Sequence, residues 1–351
     1  MSRKPTVFLV RDSVLDSLFD EIAHGLSVRG AHVVRGEAPS VGDVRPAESD
    51  RVPEPMRQAD VALFSMRRRC SAPLLNGAPR LRGIVYPTIG IESLDTAAAD
   101  ELGLIVGHGA MPENYLGLAE ATVMLMLMLL YNPNASSDVL HGRRPRPAPN
   151  EHAVWARMLY GRTVGMVGFG RIGRAIADRL AGWGAPILAH DPYVDPAGLP
   201  SAVELASLDR VLRDSDVVVV LVAITRETWG IIDSAALAKM KPDAFLINVS
   251  RGEAVDEPAL IEALSTRSIA GAALDVSCVE PLPTDSPLRR LNNVFLTPHM
   301  VGQTKDVFRA IVPTAIENIM RILDGKMPLY CANPHAQPRW EERLKALASG
   351  A

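Results

Sequence analysis

Short apolar runs alternate with longer segments in which apolar residues recur every three or four positions. TVFLV is followed by VLDSLFDEIAHGL and AHVVRG, and ADVALFS, LRGIVYP and LGLIVG continue the series. Strands separated by helices imply parallel βαβ units. The proline- and acid-rich stretch between Gly36 and Met56 reads as loop. After Val106, MPENYLGLAEATVMLMLMLLYNPN predicts a long helix closed by Pro133, and a turn-rich connector follows to Tyr160. The alternation then restarts with six strand candidates: RTVGMVGFG, PILAHD, VVVVLVA, AFLINVS, IAGAALDV and VFLTPH. The last clear helix, TKDVFRAIVPTAIENIMRILDG, lies beyond the sixth strand, where the second sheet has no need of it, and is expected to return to the first domain.

Composition sets the scale of this pattern. A chain of 351 residues, 48% hydrophobic and 22% charged, is expected to fold as two globular domains with an ample core. A net charge of −3 gives no general pull toward nucleic acid or an anionic membrane, and neither partner is expected. The basic cluster HGRRPRPAPN, His141 to Asn150, is broken by proline and reads as a solvated loop. Three cysteines, Cys70, Cys278 and Cys331, show neither metal-ligand pairing nor a disulfide framework, which favours a reducing, cytoplasmic compartment and no metal. The apolar run near the N-terminus is too short for a signal peptide. VMLMLMLLY, Val123 to Tyr131, reads as a buried helix or subunit contact and not as a membrane span.

The sharpest local signal is MVGFGRIGRAIADRL. Gly168, Gly170 and Gly173 form G-x-G-x-x-G between an apolar strand and a helix, the arrangement that brings a pyrophosphate onto a helix N-terminus. Asp191 ends the next strand, 23 residues after Gly168, where a carboxylate accepts from a ribose 2′-hydroxyl and repels a 2′-phosphate. The expected cofactor is NAD, although the neighbouring His190, if cationic, would tolerate phosphate. The strand count suits a complete dinucleotide fold of two mononucleotide halves.

Three polar segments follow later strands: LINVSRGEAVDE, ALDVSCVEPLP and VFLTPHMVGQT. Together with GIESLDTAAADELGLIV and the glycine fingerprint, they strongly resemble the D-isomer-specific 2-hydroxyacid dehydrogenases, which include phosphoglycerate dehydrogenases and glyoxylate or hydroxypyruvate reductases. The resemblance covers nearly the whole chain and implies a catalytic arginine, glutamate and histidine at Arg251, Glu280 and His299. Histidine, with an ordinary pKa near ~6.5, suits proton delivery to a carbonyl at neutral pH. In that assignment Glu280 fixes the imidazole tautomer and favours its charged form, while Arg251 grips substrate oxygens as a planar fork. Taken singly, Arg251 also reads as a surface arginine, Glu280 as a loop carboxylate and His299 as a turn residue. Cys278 reads as a small loop residue.

The family architecture implies an α/β fold in which a Rossmann dinucleotide-binding domain, residues 116–303, is inserted into a flavodoxin-like substrate-binding domain, residues 1–115 with 304–340 returning. The resemblance also implies a substrate-carboxylate cradle at Ile89 and Gly90, and cofactor contacts at Thr122, Arg171, Ile172, Ala223, Thr228, Ser250 and Asp275. Glu92 and Ser93 stand where aspartate and asparagine are usual in the family, and His108 where asparagine is common, so substrate identity does not carry over. The expected activity is NAD-dependent interconversion of a D-2-hydroxy acid and its 2-keto acid, in a homodimer with the Val123–Tyr131 helix in or near the interface. Formate oxidation would call for glutamine at position 280. A dehydrogenase-like corepressor that binds NAD without physiological turnover is the competing reading.

Overall fold

The computed structural model describes residues 3–37, 52–151 and 155–349. The chain divides into two compact units, Met1–Asn114 with Lys305–Ala351, and Tyr115–Thr304.

In the first unit, β1 (Thr6–Leu9) leads to α1 (Asp16–Val28) and β2 (His32–Arg35). The turn α2 (Glu54–Arg57) precedes β3 (Val61–Leu63), and α3 (Ala72–Asn76), β4 (Gly83–Val85), α4 (Thr96–Glu101) and β5 (Ile105–Gly107) complete the first pass. The loop expected between Gly36 and Met56 lies mostly outside the described residues, and its end forms α2. All five strands are parallel in the order β2-β1-β3-β4-β5, the flavodoxin-like arrangement. β1, β3, β4 and β5 are buried along their whole length, which is why they read as continuous apolar runs and not as alternating ones. On α1, Phe19, Ile22 and Leu26 recur at helical spacing and face the same core as Ala315, Ile316 and Ile319, which come from the end of the chain.

The second unit begins in α5 (Pro112–Tyr131), followed by α6 (Pro133–Leu140). α5 is long and apolar enough by length and composition to cross a membrane, yet its Ala119, Leu125, Met126 and Leu130 belong to the core of this unit. Pro133 does end α5, as its missing N–H requires, but it also opens α6 from its first turn. The connector therefore contains a helix that its polar sequence, with no buried residue, did not announce. The basic segment that follows is exposed along most of its length.

Next come β6 (Val164–Val167), α7 (Arg171–Leu180), β7 (Ile187–His190), β8 (Val203–Leu205), α8 (Leu208–Asp214), β9 (Val217–Val220) and α9 (Ser234–Leu237). β10 (Phe245–Asn248), α10 (Glu257–Ser265), β11 (Gly271–Leu274) and β12 (Val294–Leu296) finish the sheet. Its seven parallel strands run β12-β11-β10-β9-β6-β7-β8, a Rossmann order with one added edge strand. The strand missing from the six expected is β8, a three-residue edge element with Glu204 exposed at its centre. It is too short and too polar for a period-2 signal.

The chain then returns to the first unit through α11 (Lys305–Leu323) and α12 (Gln337–Ser349). α11 packs on α1, β3, β4 and β5. α12, which the sequence pattern did not reveal, buries a single side chain, Trp340, whose indole N–H donates to the Arg82 carbonyl at 2.7 Å.

Candidate active site

Within the second unit, α6, α8, α9 and α10 each begin at an Asn, Ser or Asp whose side chain accepts from the first turn. α7 differs. It begins at Gly170 with no side-chain cap, so the amides of its first turn, including Arg171 and Ile172, remain available to an anion. Gly168 precedes it with φ +98°, and a Cβ there would stand 2.9 Å from the Leu221 carbonyl carbon. Only glycine makes this turn. Gly173 lies buried in the first turns of α7.

Asp191, one residue beyond β7, reaches this turn: Oδ2 accepts from the Phe169 amide at 2.8 Å and Oδ1 from the Tyr193 amide at 3.0 Å. Each oxygen keeps a lone pair for a hydroxyl. An uncapped helix N-terminus, a glycine turn and a carboxylate braced beside them fit the pyrophosphate and ribose of a nicotinamide dinucleotide.

The remaining expected cofactor contacts fall into different settings. Thr228 Oγ1 donates to the Ala223 carbonyl at 2.5 Å and accepts from the Thr225 amide at 2.8 Å, closing the turn after β9. Thr122 is fully buried in α5 and donates to the Leu118 carbonyl at 2.7 Å, so its hydroxyl is engaged within its own helix. Ser250 donates through both its amide and Oγ to Asn248 Oδ1, at 3.1 and 3.0 Å. Asn248 also donates from Nδ2 to the Arg251 carbonyl at 2.8 Å. This buried amide shapes the Ser250–Arg251 turn and was missed in the sequence, where it reads as one polar residue at a strand end.

The loops after β10, β11 and β12 leave the same edge of the sheet, beyond the carboxyl ends of the strands. Gly252 lets the first two meet: a Cβ there would stand 2.1 Å from the Ser277 carbonyl carbon and 2.4 Å from the Cys278 nitrogen. From the second loop Glu280, which precedes a cis proline, places Oε2 2.8 Å from His299 Nδ1 on the third. The Ser277 amide donates to Glu280 Oε1 at 3.3 Å. Arg251 Nη1 donates to the Ser250 carbonyl at 2.7 Å.

His299 has φ +56°, a left-handed conformation uncommon outside glycine. Asp275, buried at the end of β11, holds it there. Oδ1 accepts from Thr297 Oγ1 at 2.7 Å and from the Met300 and Val301 amides at 2.9 and 3.1 Å. The Asp275 carbonyl accepts from the His299 amide at 2.7 Å. Its carboxylate thus braces the histidine loop, beyond the cofactor contact expected of it.

Partial burial draws the Glu280 carboxyl upward, but the hydrogen bond and charge of His299, the Ser277 amide and the Arg251 charge outweigh it and leave it below the usual glutamate value. Cys278, beside this pair, is pushed up to about 11 by burial and by the charges of Glu257, Glu253 and Asp256. Its thiol therefore stays protonated at neutral pH and is a poor nucleophile. No group of three or more metal-ligating side chains occurs among the described residues.

In the first unit, Ile89 and Gly90 lie in the loop after β4. Their amides donate to no acceptor among the described residues, although Gly90 is buried. His108, after β5, braces this loop with Nδ1 3.1 Å from the Ile89 carbonyl.

The second unit has the fold and the strand-edge polar groups of a nicotinamide-dinucleotide dehydrogenase. Residues 122–301 match the family model described as D-isomer specific 2-hydroxyacid dehydrogenase, NAD binding domain. A glyoxylate reductase from Thermofilum pendens is 34% identical over 278 residues, 78% of this chain and 81% of that one. A D-3-phosphoglycerate dehydrogenase from Mycobacterium tuberculosis is 33% identical over 286 residues, and the match spans 52% of its length, about half. Among solved structures, an NADPH-dependent glyoxylate/hydroxypyruvate reductase from Sinorhizobium meliloti, in complex with NADP and malonate, is 27% identical. It superposes with a TM-score of 0.79 over 96% of this chain and 98% of that one.

The chain belongs to the D-isomer-specific 2-hydroxyacid dehydrogenase family. It is an oxidoreductase that interconverts a 2-hydroxy acid and its 2-keto acid by hydride transfer with a nicotinamide dinucleotide.

Proposed function

We propose that the chain reduces a small 2-keto acid to the D-2-hydroxy acid with NADH, with His299 as general acid, Glu280 as its charge partner and Arg251 as the substrate clamp. The observation that carries this reading is the 2.8 Å contact between His299 Nδ1 and Glu280 Oε2, on strand-end loops beside Arg251. Glu280 engages Nδ1, which leaves Nε2 to give a proton to the carbonyl oxygen as negative charge builds there. In the reverse direction the neutral ring takes the proton back. Arg251 offers a planar guanidinium fork to the carboxylate and carbonyl oxygens, fixing their orientation. In the first unit the amides of Ile89 and Gly90 offer donors to a carboxylate, since the buried Gly90 N–H calls for an acceptor. When bound, the nicotinamide ring supplies the hydride in reduction and accepts it in oxidation.

Dinucleotide binding rests on Gly168, Gly170, Gly173 and the amides of Arg171 and Ile172, with Ala223, Thr228, Ser250 and Asp275 at the strand ends. Asp191 favours NADH, because a carboxylate beside the ribose repels a 2′-phosphate. The assembly is a homodimer: Met124 and Tyr131 on α5 and Leu140 on α6 are 45, 46 and 86% exposed, an apolar surface that a second copy would cover. Three free cysteines fit a cytoplasmic location. The likeness to glyoxylate reductases points to small 2-keto acids, and the His299–Glu280 pair favours turnover over a purely regulatory role.

Initial rates with NADH and NADPH, in the wild type and in Asp191→Ala, test the cofactor assignment. We expect the wild type to favour NADH in kcat/KM and the variant to lose that preference. A wild-type preference for NADPH would overturn it.

A further inference from the structure

The glycine turn and the two loops beside it are linked into a ring. β6 lies between β7 and β9 in a parallel sheet, so the loops that follow those two strands flank the glycine turn on one edge of the second unit. On one side the Phe169 amide donates to Asp191 Oδ2, and the Tyr193 amide donates to Asp191 Oδ1. On the other, Gly168 approaches the loop after β9 so closely that a Cβ would stand 3.0 Å from the Leu221 carbonyl oxygen. Farther along that loop Thr225 and Thr228 close a turn, and the Glu227 amide donates to Thr225 Oγ1 at 3.2 Å. The last link joins the two flanking loops directly: the Tyr193 hydroxyl donates to Glu227 Oε2 at 2.8 Å, across 34 positions of sequence.

This last link differs in kind from the others. The Phe169–Asp191 and Gly168–Leu221 contacts involve backbone and hold as long as the fold holds. Tyr193, by contrast, is 81% exposed and Glu227 is exposed as well. Two exposed side chains that meet at their tips part readily, because water takes over the hydrogen bond. The bond and charge of Glu227, with the Asp191 charge, hold the Tyr193 phenol above its ordinary pKa, so it remains a donor at neutral pH.

The covalent order of a dinucleotide brings its adenosine to this place. The pyrophosphate belongs at the N-terminus of α7 and the adenine-side ribose at Asp191. The base is joined to that ribose on the side away from the pyrophosphate, and so extends past Asp191 toward Tyr193.

We propose that Tyr193 and Glu227 form a strap across the adenosine site, which parts to admit the dinucleotide and re-forms over it. This inference rests on the placement of the ribose at Asp191 in the reading above. Asp191 then recognises the ribose, while the strap sets how fast the cofactor enters and leaves. Because the strap is closed before the cofactor arrives, its removal speeds both steps, and Kd changes less than either rate constant.

The test is stopped-flow fluorescence of NADH with the full-length protein, without substrate, in the wild type, Tyr193→Phe and Glu227→Gln. Both side chains are exposed, so both variants are expected to fold. Each should raise the association and dissociation rate constants about two- to tenfold, as loss of one hydrogen bond implies. The double variant should be no faster than the faster single one, because all three remove the same link.

Rate constants unchanged in both variants overturn the strap. Faster dissociation with unchanged association makes Tyr193 and Glu227 ordinary contacts to the bound cofactor, and slower association makes their role structural; either result overturns it too. Asp191→Ala separates these failures from failure of the reading beneath. If that variant binds NADH as tightly as the wild type, the ribose does not lie at Asp191 and both fall; if it binds more weakly while the strap variants match the wild type, the strap alone falls.

Discussion

In the proposed mechanism the chemistry turns on Glu280 and His299, whose side chains meet at 2.8 Å. The Glu280 carboxyl is held below its ordinary value because, against partial burial, the imidazole hydrogen bond and charge favour the carboxylate. Glu280 is therefore ionised throughout the neutral range. Glu280→Gln keeps the size and removes the charge, and should lower kcat/KM for keto-acid reduction at neutral pH, because the carboxylate that engages Nδ1 is gone. Initial rates matching the wild type would remove Glu280 from this role. The family resemblance singled out His299, Glu280 and Arg251 in sequence, and the structure brings the first two to 2.8 Å. Asn248 was not legible there, since a buried brace differs from a loop amide only in its three-dimensional partners, and the Ile89 and Gly90 amides carry no side-chain signature at all.

At the scale of elements, long apolar strands and periodic helices were legible, whereas short polar ones were not. β6, β7 and β9 to β11 are buried and β12 half-buried, which leaves clear apolar runs, but β8 and the exposed α6 and α12 have little apolar surface to mark them. Loops that join elements are held by polar groups in the same inconspicuous way. Asp12, 2% exposed, links the end of β1 to the start of α1 through the Val14 and Leu15 amides and to the β3 loop through Ser65. Burial raises its pKa, but the Ser65 hydroxyl, the two amides and the Arg67 charge outweigh burial and hold it below its ordinary 3.8. A folded-state value below the unfolded one stabilises the fold above the unfolded pKa, and this stabilisation disappears as pH falls through the folded value. Asp12→Ala should cost about 1–3 kcal/mol at neutral pH. Urea titrations should show the gap between wild type and variant narrowing below pH 3.8. A gap that widens on acidification would contradict this assignment.

For the whole molecule, the division into two cores follows from where the chain places its apolar residues. The first core draws on both ends of the chain, from Val7 and Phe8 to Ile319, Ile322 and Trp340. The intervening unit closes around its own sheet with cores on both faces. The glycine fingerprint begins near the middle because a complete five-stranded sheet, β1 to β5, comes first. Reading that order from sequence was possible because β-strand alternation stops at α5 and restarts after it. The extent of the returning segment was less legible, since α12 attaches mainly through Trp340 and through Arg343, which donates to the Leu81, Leu102 and Pro79 carbonyls. The central claim joins this architecture to a single proton donor. Steady-state reduction of the best 2-keto acid with saturating NADH, in the wild type and in a folded His299→Ala variant, tests it most directly. We predict that kcat falls by roughly 10²–10⁴-fold while KM changes much less, because Arg251 still holds the substrate. A kcat within a few fold of the wild type would contradict the account.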